Sequence, residues 1–371
     1  MPGKTRASNG SRGPSRGGRK KSAKALKPNP FLALVDAVRK EVDTRLAGLL
    51  DAKLDAAAEQ DVEVLEMVRA FRDLCLRGGK RLRAALLVAG YRAASANADL
   101  EPALDAGVAI ELLHAYFLVH DDWMDRDDTR RGGPAVHKIL SDRYKSPHLG
   151  ESSAILAGDL GVALATEALS RVDVPASRLP GVFGAFAQMQ ADAVAGQQID
   201  VIARGEDVEK TYTLKTGSYT VAGPLRMGAL LAGGSPELIS ALERFALPAG
   251  VAFQLRDDLL SAFGDPSETG KPFANDIRSG KRTALIQRAF ELAKGKDKKV
   301  LASAWGNSRA GVKLLREATD VLTRCGARAA VEERIAELSA RALSSVEAAE
   351  LAEARRTLLL GAVDALTDRR S

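Results

Sequence analysis

The chain has 371 residues, 46% hydrophobic and 5% aromatic, with 54 Lys or Arg against 48 Asp or Glu and a formal charge of +6. That length allows a large buried core, in one big domain as readily as two smaller ones, and no uninterrupted apolar run approaches the roughly 18 residues needed to span a bilayer. Residues 1–30 hold nine Lys or Arg and no acid, so the other 341 residues net to −3 and the composition gives no basis for a specific nucleic-acid partner.

That basic tail is rich in Gly, Ser and Pro and poor in aliphatic side chains, so residues 1–30 are expected to be a disordered, solvated segment ahead of a domain at 31–371. A transit peptide would share its Arg and Ser content, but the amphipathic pattern is lacking. From Phe31 the pattern turns helical: Leu32, Val35, Val38, Val42, Leu46 and Leu49 recur at three- or four-residue steps. Similar periodicity predicts helices around 62–76, 81–95, 101–125, 151–170, 181–203, 218–232, 236–262, 281–293, 309–324 and 328–366. Breaks fall at Gly78-Gly79, Gly132-Gly133-Pro134, Gly233-Gly234-Ser235-Pro236 and Gly264-Asp265-Pro266. Alternating strands and fixed-period repeats are lacking. The expected fold is all-α: a single helical-bundle domain of ten or more helices around a central cavity. Cys75 and Cys325 have neither metal spacing nor a disulfide framework, which predicts a reduced, cytoplasmic setting.

Two acidic clusters carry the chemistry. His120-Asp121-Asp122-Trp123-Met124-Asp125 is followed by Arg130-Arg131-Gly132-Gly133, and Phe253-Gln254-Leu255-Arg256-Asp257-Asp258 by Lys271 and Gly280-Lys281-Arg282-Thr283. On a helix, Asp121 and Asp125 share one face within a turn, near a C-terminus whose dipole is already negative. Such repulsion makes sense only where a strong cation binds. Hard Mg2+ suits a few carboxylates plus substrate phosphate oxygens, with nearby Lys and Arg holding the phosphates. Lys80 and Arg83 in Gly79-Lys80-Arg81-Leu82-Arg83 lie three apart at a helix start, able to clamp a phosphate. Taken singly, any one of these basic residues is most simply an exposed surface charge; the joint order is what points to a diphosphate.

The ordered segments GGKRLR, HAYFLVHDDWMD, DDTRRGGPAVH, GQQID, LKTGSY, FQLRDDLL, GDPSETGKP and GKRT resemble the all-trans isoprenyl diphosphate synthases, the farnesyl and geranylgeranyl diphosphate synthase family, from about Phe31 to about residue 350. The resemblance implies that Asp121 and Asp125, supported by Asp122, hold two Mg2+ ions, and that Asp257 with Asp258 holds a third. It implies further that Lys80, Arg83, His114 and Arg131 bind the diphosphate of isopentenyl diphosphate. Arg130, Lys215, Lys271 and Lys281 would grip the allylic diphosphate. Thr216 and Gln254 would face the reacting carbons, with Gln197 and Asp200 forming the motif between the clusters. A homodimer is implied as well. The implied reaction ionises an allylic diphosphate and couples it to isopentenyl diphosphate, without a Ser, Cys or His nucleophile.

Tyr116 and Phe117 precede Asp121 by five and four residues, one turn deeper, where a growing prenyl chain would meet their rings. Bulk at this place resembles short-chain enzymes, so farnesyl diphosphate is the expected product, with geranylgeranyl diphosphate close behind. Ser261 stands where many relatives carry a third aspartate, which predicts a weaker third ion site. Among rivals, Glu111-Leu112-Leu113-His114 matches one half of a di-iron pattern but has no second copy. A class I terpene cyclase would share the first cluster and lack GGKRLR. A non-catalytic subunit of a heteromeric synthase would have lost aspartates from one cluster, and here only the Ser261 position departs. Arg369-Arg370 are expected to form a frayed end.

Overall fold

A computed structural model of the chain describes residues 29–202, 207–264, 273–349 and 351–367. Asn29 opens α1 (Pro30–Gln60), accepting from the Phe31 and Leu32 amides while its own amide donates 2.9 Å to the Gly361 carbonyl in the last helix. There follow α2 (Val62–Leu76), α3 (Leu82–Ala94) and α4 (Glu101–Asp125). A two-residue-per-strand hairpin comes next, β1 (Thr129–Arg130) against β2 (Gly133–Pro134), then α5 (Val136–Tyr144), α6 (Pro147–Ser170) and α7 (Leu179–Ile202). α8 (Val208–Tyr212) runs without a break into a π-helix (Thr213–Ala222) and α9 (Gly223–Leu231). α10 (Pro236–Phe263), α11 (Asn275–Ser279), α12 (Ala284–Leu292), α13 (Gly295–Ala304), α14 (Val312–Arg324), α15 (Ala327–Glu347) and α16 (Glu353–Thr367) complete the described chain.

The all-α expectation holds, and the differences have local causes. α5, α11 and α13 are short and bury few apolar residues, only Leu301 and Ala304 in α13, so they left little periodic signal. The run expected at 328–366 divides between Glu347 and Glu353 although no Gly or Pro marks it; Leu351 turns into the core there. The expected disordered tail and Arg369-Arg370 lie outside the described residues.

Two apolar clusters form the interior. The larger draws on α1 to α7, the π-helix, α9, the end of α15 and α16, the smaller on α8 and α11 to α15. α10 belongs to both: Leu242, Phe245, Ala249 and Phe253 face the first, Val251, Leu255 and Leu259 the second. The second acidic cluster therefore sits at the seam. α4, α6 and α10 are long and apolar enough to cross a membrane by length and composition. Here α4 packs on α6 and α10 on α15.

Close approaches hold the central helices. Pro248 lies inside α10 and supplies no amide to the Arg244 carbonyl, which instead accepts from Ser345 Oγ of α15 at 3.4 Å. A methyl group on Gly250 would meet Gly217 Cα of the π-helix at 2.5 Å, and one on Gly196 of α7 would meet the Lys215 amide at 2.6 Å. Neither backbone can retreat without moving Lys215 or Thr216. Gly250→Ala gains helix propensity yet overpacks this contact, and is expected to destabilise the protein by about 1–2 kcal/mol and lower the melting temperature by a few degrees in a thermal scan.

Candidate active site

The first cluster occupies the last turn of α4, which Arg126 ends in a left-handed conformation at φ +58°. Asp121 and Asp125 are half-buried and Asp122 is fully buried. Three cations from three different elements reach them. Lys215 on the π-helix lies 3.1 Å from Asp121 Oδ1 and 2.6 Å from Asp200 Oδ2 of α7. Lys281, in the loop before α12, pairs with Asp125. Arg130 on β1 donates Nε to Asp122 Oδ1 at 2.6 Å. Burial would raise the Asp121 carboxyl, but Lys215, Lys281 and Arg130 outweigh it and hold it below the usual carboxylate range. Burial prevails at Asp122, lifting it to about 6 against the pull of Arg130, and it also raises Asp125 against Lys281. Both lysines are driven the other way: their aspartate partners overcome burial and lift Lys215 and Lys281 above the usual ammonium range.

The basic loop before α3 divides its labour in a way the sequence does not show. Gly78 and Gly79 take φ of +91° and +144°, and Arg81 takes +50°. Arg81 is 4% exposed and points inward, donating to Asp43 at 2.7 Å, Glu111 at 3.2 Å and the Cys75 carbonyl at 2.8 Å. It ties α1, α2 and α4 together beneath the loop and leaves Lys80 and Arg83 to face the cavity. Glu111 is thereby committed to Arg81 and His114 Nδ1 lies 2.7 Å from Tyr219 Oη, so the Glu-x-x-His pair is not arranged as half of a di-iron site. Arg83 donates to Thr220 Oγ1 at 2.8 Å and stacks over the Tyr219 ring at 4.4 Å. Arg131 donates to the Leu74 carbonyl, its guanidinium beside Gly79.

On α10, Gln254 Nε2 donates to Asp258 Oδ1 at 3.0 Å and its oxygen accepts from Thr216 Oγ1 at 2.8 Å. Tyr212, which the sequence reading passed over, donates to Asp258 Oδ2. Burial lifts Asp258 to about 8 despite the donors on both oxygens. Asp257 faces the cavity. Asp257 and Asp258 lie about one and a half turns inside the end of α10, whereas the first cluster occupies the last turn of α4.

The cavity has two compartments. A polar one of about 460 Å3 is bordered by Lys80, Asp121, Asp200, Lys215, Asp257 and Lys281. An apolar one of about 370 Å3 continues from it past Phe117, Tyr116, Met124, Val194 and Phe253. Lys215, Thr216, Gln254, Asp121 and Asp257 line both. Phe117 meets Tyr219 edge-on at 4.8 Å and Tyr116 at 4.7 Å, while Gln197 lies against Met124 Sδ at 3.7 Å. Of the metal- and substrate-site residues singled out in sequence, Lys271 lies outside the described residues. Tyr212, Tyr219 and Arg81 are the additions. Tyr219 had a signal, four residues after Lys215 on the same helical face.

The donor set suits a hard divalent ion. Asp121, Asp125, Asp200 and Asp257 offer only carboxylate oxygen, and Asp122 Oδ2 is buried without a hydrogen-bond partner. Among the described residues no three Asp, Glu, His or Cys side chains converge on one point, as in sites completed by substrate phosphates.

Opposed carboxylates and cations over an apolar trough, inside an all-α bundle, define a diphosphate-handling fold of the isoprenoid synthase class. The chain belongs to the polyprenyl synthetase family, whose profile matches residues 65–322. It is 33% identical over 285 residues to the short chain isoprenyl diphosphate synthase of Methanocaldococcus jannaschii, covering 76% of this chain and 82% of that one. It is 35% identical over 281 residues to the geranylgeranyl diphosphate synthase of Methanosarcina mazei, with 74% and 82% covered. The crystal structure of geranylgeranyl pyrophosphate synthase from Corynebacterium glutamicum complexed with isoprenyl diphosphate and magnesium superposes with a TM-score of 0.84 at 33% identity, over 93% of this chain and all of that one.

His114 supplies a pH test of this environment. Burial, then Arg83 and Arg131, hold its imidazole well below the usual range, so it is neutral near pH 7. An unfolded histidine takes up a proton below about pH 6.5 and the folded one does not, so the contribution of His114 to stability is complete above that pH and lost as pH falls. Between pH 6.5 and 5 the parent should lose up to ~2 kcal/mol more than His114→Gln, read from denaturant unfolding.

Proposed function

We propose that this chain is a short-chain trans-prenyltransferase that condenses isopentenyl diphosphate with an allylic diphosphate (dimethylallyl, geranyl or farnesyl) to give farnesyl and/or geranylgeranyl diphosphate. The observation that carries the reading is the single cavity in which Asp121 of α4 and Asp257 of α10 share a polar compartment with Lys80, Lys215 and Lys281, opening directly onto an apolar one.

In this reading Lys215 and Lys281, with Arg130, hold the allylic diphosphate, and Lys80, Arg83, His114 and Arg131 hold the second diphosphate. Magnesium, three ions per site held by Asp121, Asp125 and Asp257, would add positive charge to the leaving diphosphate when bound. Lys215 and Lys281 leave their aspartates for the phosphate oxygens as the allylic carbon–oxygen bond breaks and its electron pair departs with the diphosphate. Donors aimed at such developing charge are typically worth ~3 kcal/mol each. The allylic cation then meets the double bond of isopentenyl diphosphate, and the released diphosphate takes the proton that is lost. Phe117, Tyr219 and Phe253 exclude water, while the Thr216 and Gln254 oxygens stabilise the cation by their dipoles. The product's tail extends towards Tyr116 and Phe117, which limit its length. Both acidic clusters retain their aspartates apart from the Ser261 position, which fits a catalytic chain better than a regulatory one.

We further read the protein as a cytoplasmic homodimer in which α4, α6 and α10 are core helices and not membrane spans. Exposed Leu149 and Leu156 on α6 and Ile202 on α7 are apolar surface available for that contact.

Purified protein with Mg2+, isopentenyl diphosphate and dimethylallyl diphosphate should yield fifteen- and twenty-carbon diphosphates by chromatography, and EDTA should abolish them; no prenyl product would overturn the proposal. Asp121→Ala and Asp257→Ala should each slow coupling by ~100-fold or more. Phe117→Ala should lengthen the product, whereas an unchanged chain length would remove that ring from the floor of the cavity.

A further inference from the structure

Tyr212 ends α8, three residues before Lys215, and is 8% exposed. Its oxygen accepts the Ala284 amide at 2.9 Å, at the start of α12. An amide N–H only donates, so the phenol hydrogen is free to go to one place, Asp258 Oδ2. Asp258, 4% exposed, takes Gln254 Nε2 on its other oxygen at 3.0 Å. With Asp258 ionised, that contact sets the Gln254 amide: the nitrogen faces Asp258, and the oxygen faces Thr216, whose hydroxyl donates to it at 2.8 Å. Thr216 has then spent its hydrogen, and what it presents to the cavity is lone pairs. Five groups thus form two donor runs that converge on Asp258, one from the Ala284 amide through Tyr212 and one from Thr216 through Gln254.

We propose that Tyr212 and Asp258 are positioning residues and not magnesium ligands: they orient the Gln254 amide and the Thr216 hydroxyl oxygen-first towards the reacting carbons, and they tie that pair to the segment carrying Lys281. The inference rests on the prenyl-transfer reading of the site. Asp257 and Asp258 are adjacent, yet they do different work. Asp257 lines both compartments of the cavity, while Asp258 borders only the polar one and has both oxygens engaged within the protein. Without the Tyr212 hydroxyl the Asp258 carboxyl is no longer pinned and can turn, so the Gln254 amide loses its fixed acceptor and can swing its N–H groups towards a developing cation, which disfavours ionisation without weakening substrate binding.

The test compares Tyr212→Phe, Asp258→Asn and Asp257→Asn with the parent enzyme. Steady-state kinetics should show kcat about tenfold lower for Tyr212→Phe, with KM for both substrates within twofold and the half-saturating Mg2+ concentration unchanged. Calorimetric titration with an unreactive thiolodiphosphate analogue of dimethylallyl diphosphate, at several Mg2+ concentrations, gives a readout independent of turnover. Tyr212→Phe and Asp258→Asn should bind it with the parent's affinity and Mg2+ dependence, and Asp257→Asn should need at least tenfold more Mg2+. An Asp258→Asn variant that loses Mg2+-dependent binding as Asp257→Asn does would overturn the proposal, as would a Tyr212→Phe variant with kcat within twofold of the parent. A parent protein that makes no prenyl product would instead sink the functional reading, so the two failures are distinct.

Discussion

Three carboxylates crowded into the negative end of α4 are the constraint around which the rest of the molecule is arranged. At an effective dielectric of ~20, two such charges ~6 Å apart repel by about 3 kcal/mol, before the helix dipole adds its share. The fold answers by bringing Arg130 from the β1–β2 turn, Lys215 from the π-helix and Lys281 from the α11–α12 loop to one spot. Each cation depends on a separate local device. Glycines and left-handed residues shape the hairpin, close backbone contacts seat the π-helix, and a buried tyrosine ties down the segment ahead of α12. In the proposed reaction, diphosphate binding would be an exchange of partners, with the same cations turning from aspartate to phosphate.

The apolar half of the site follows from how the core is divided. Because α10 packs one side into each apolar cluster, the residues between those two sides, Gln254 and Asp257, are left at the seam facing α4. The trough leading away from them is walled by α4 and α7. Its lining residues are partly core and partly surface: Phe253 is buried, while Met124 and Val194 remain exposed. One helix thereby joins the polar and apolar halves of the chemistry.

Much of this was legible in the sequence wherever the signal was local. Asp121 and Asp125 share a helical face by spacing alone, and the long helices announce themselves by periodicity. GGKRLR marked a basic loop, but nothing in those letters says that Arg81 turns inward while Lys80 and Arg83 turn out. That sorting depends on a positive φ and on Asp43 and Glu111, both distant in sequence. Tyr212 was invisible for the same reason, because its partners Asp258 and Ala284 are 46 and 72 residues away. The break between α15 and α16 falls in Ala- and Glu-rich sequence that favours helix, so tertiary packing of Leu351 overrides local preference there.

A π-helix holds more residues per turn than the α-helices on either side of it, so the stretch from Thr213 to Ala222 carries surplus chain. Deleting a single residue from it would still not give unbroken α-helix from Val208 to Leu231, because Pro224 has no amide hydrogen for the Thr220 carbonyl. The same deletion would rotate everything upstream by about 100°, since each α-helical residue turns by that angle. Lys215 would leave its place between Asp121 and Asp200, and Gly217 would no longer meet Gly250. Within this segment, then, the surplus chain sets the angular phase on which the Lys215 pairings and the Gly217 contact depend.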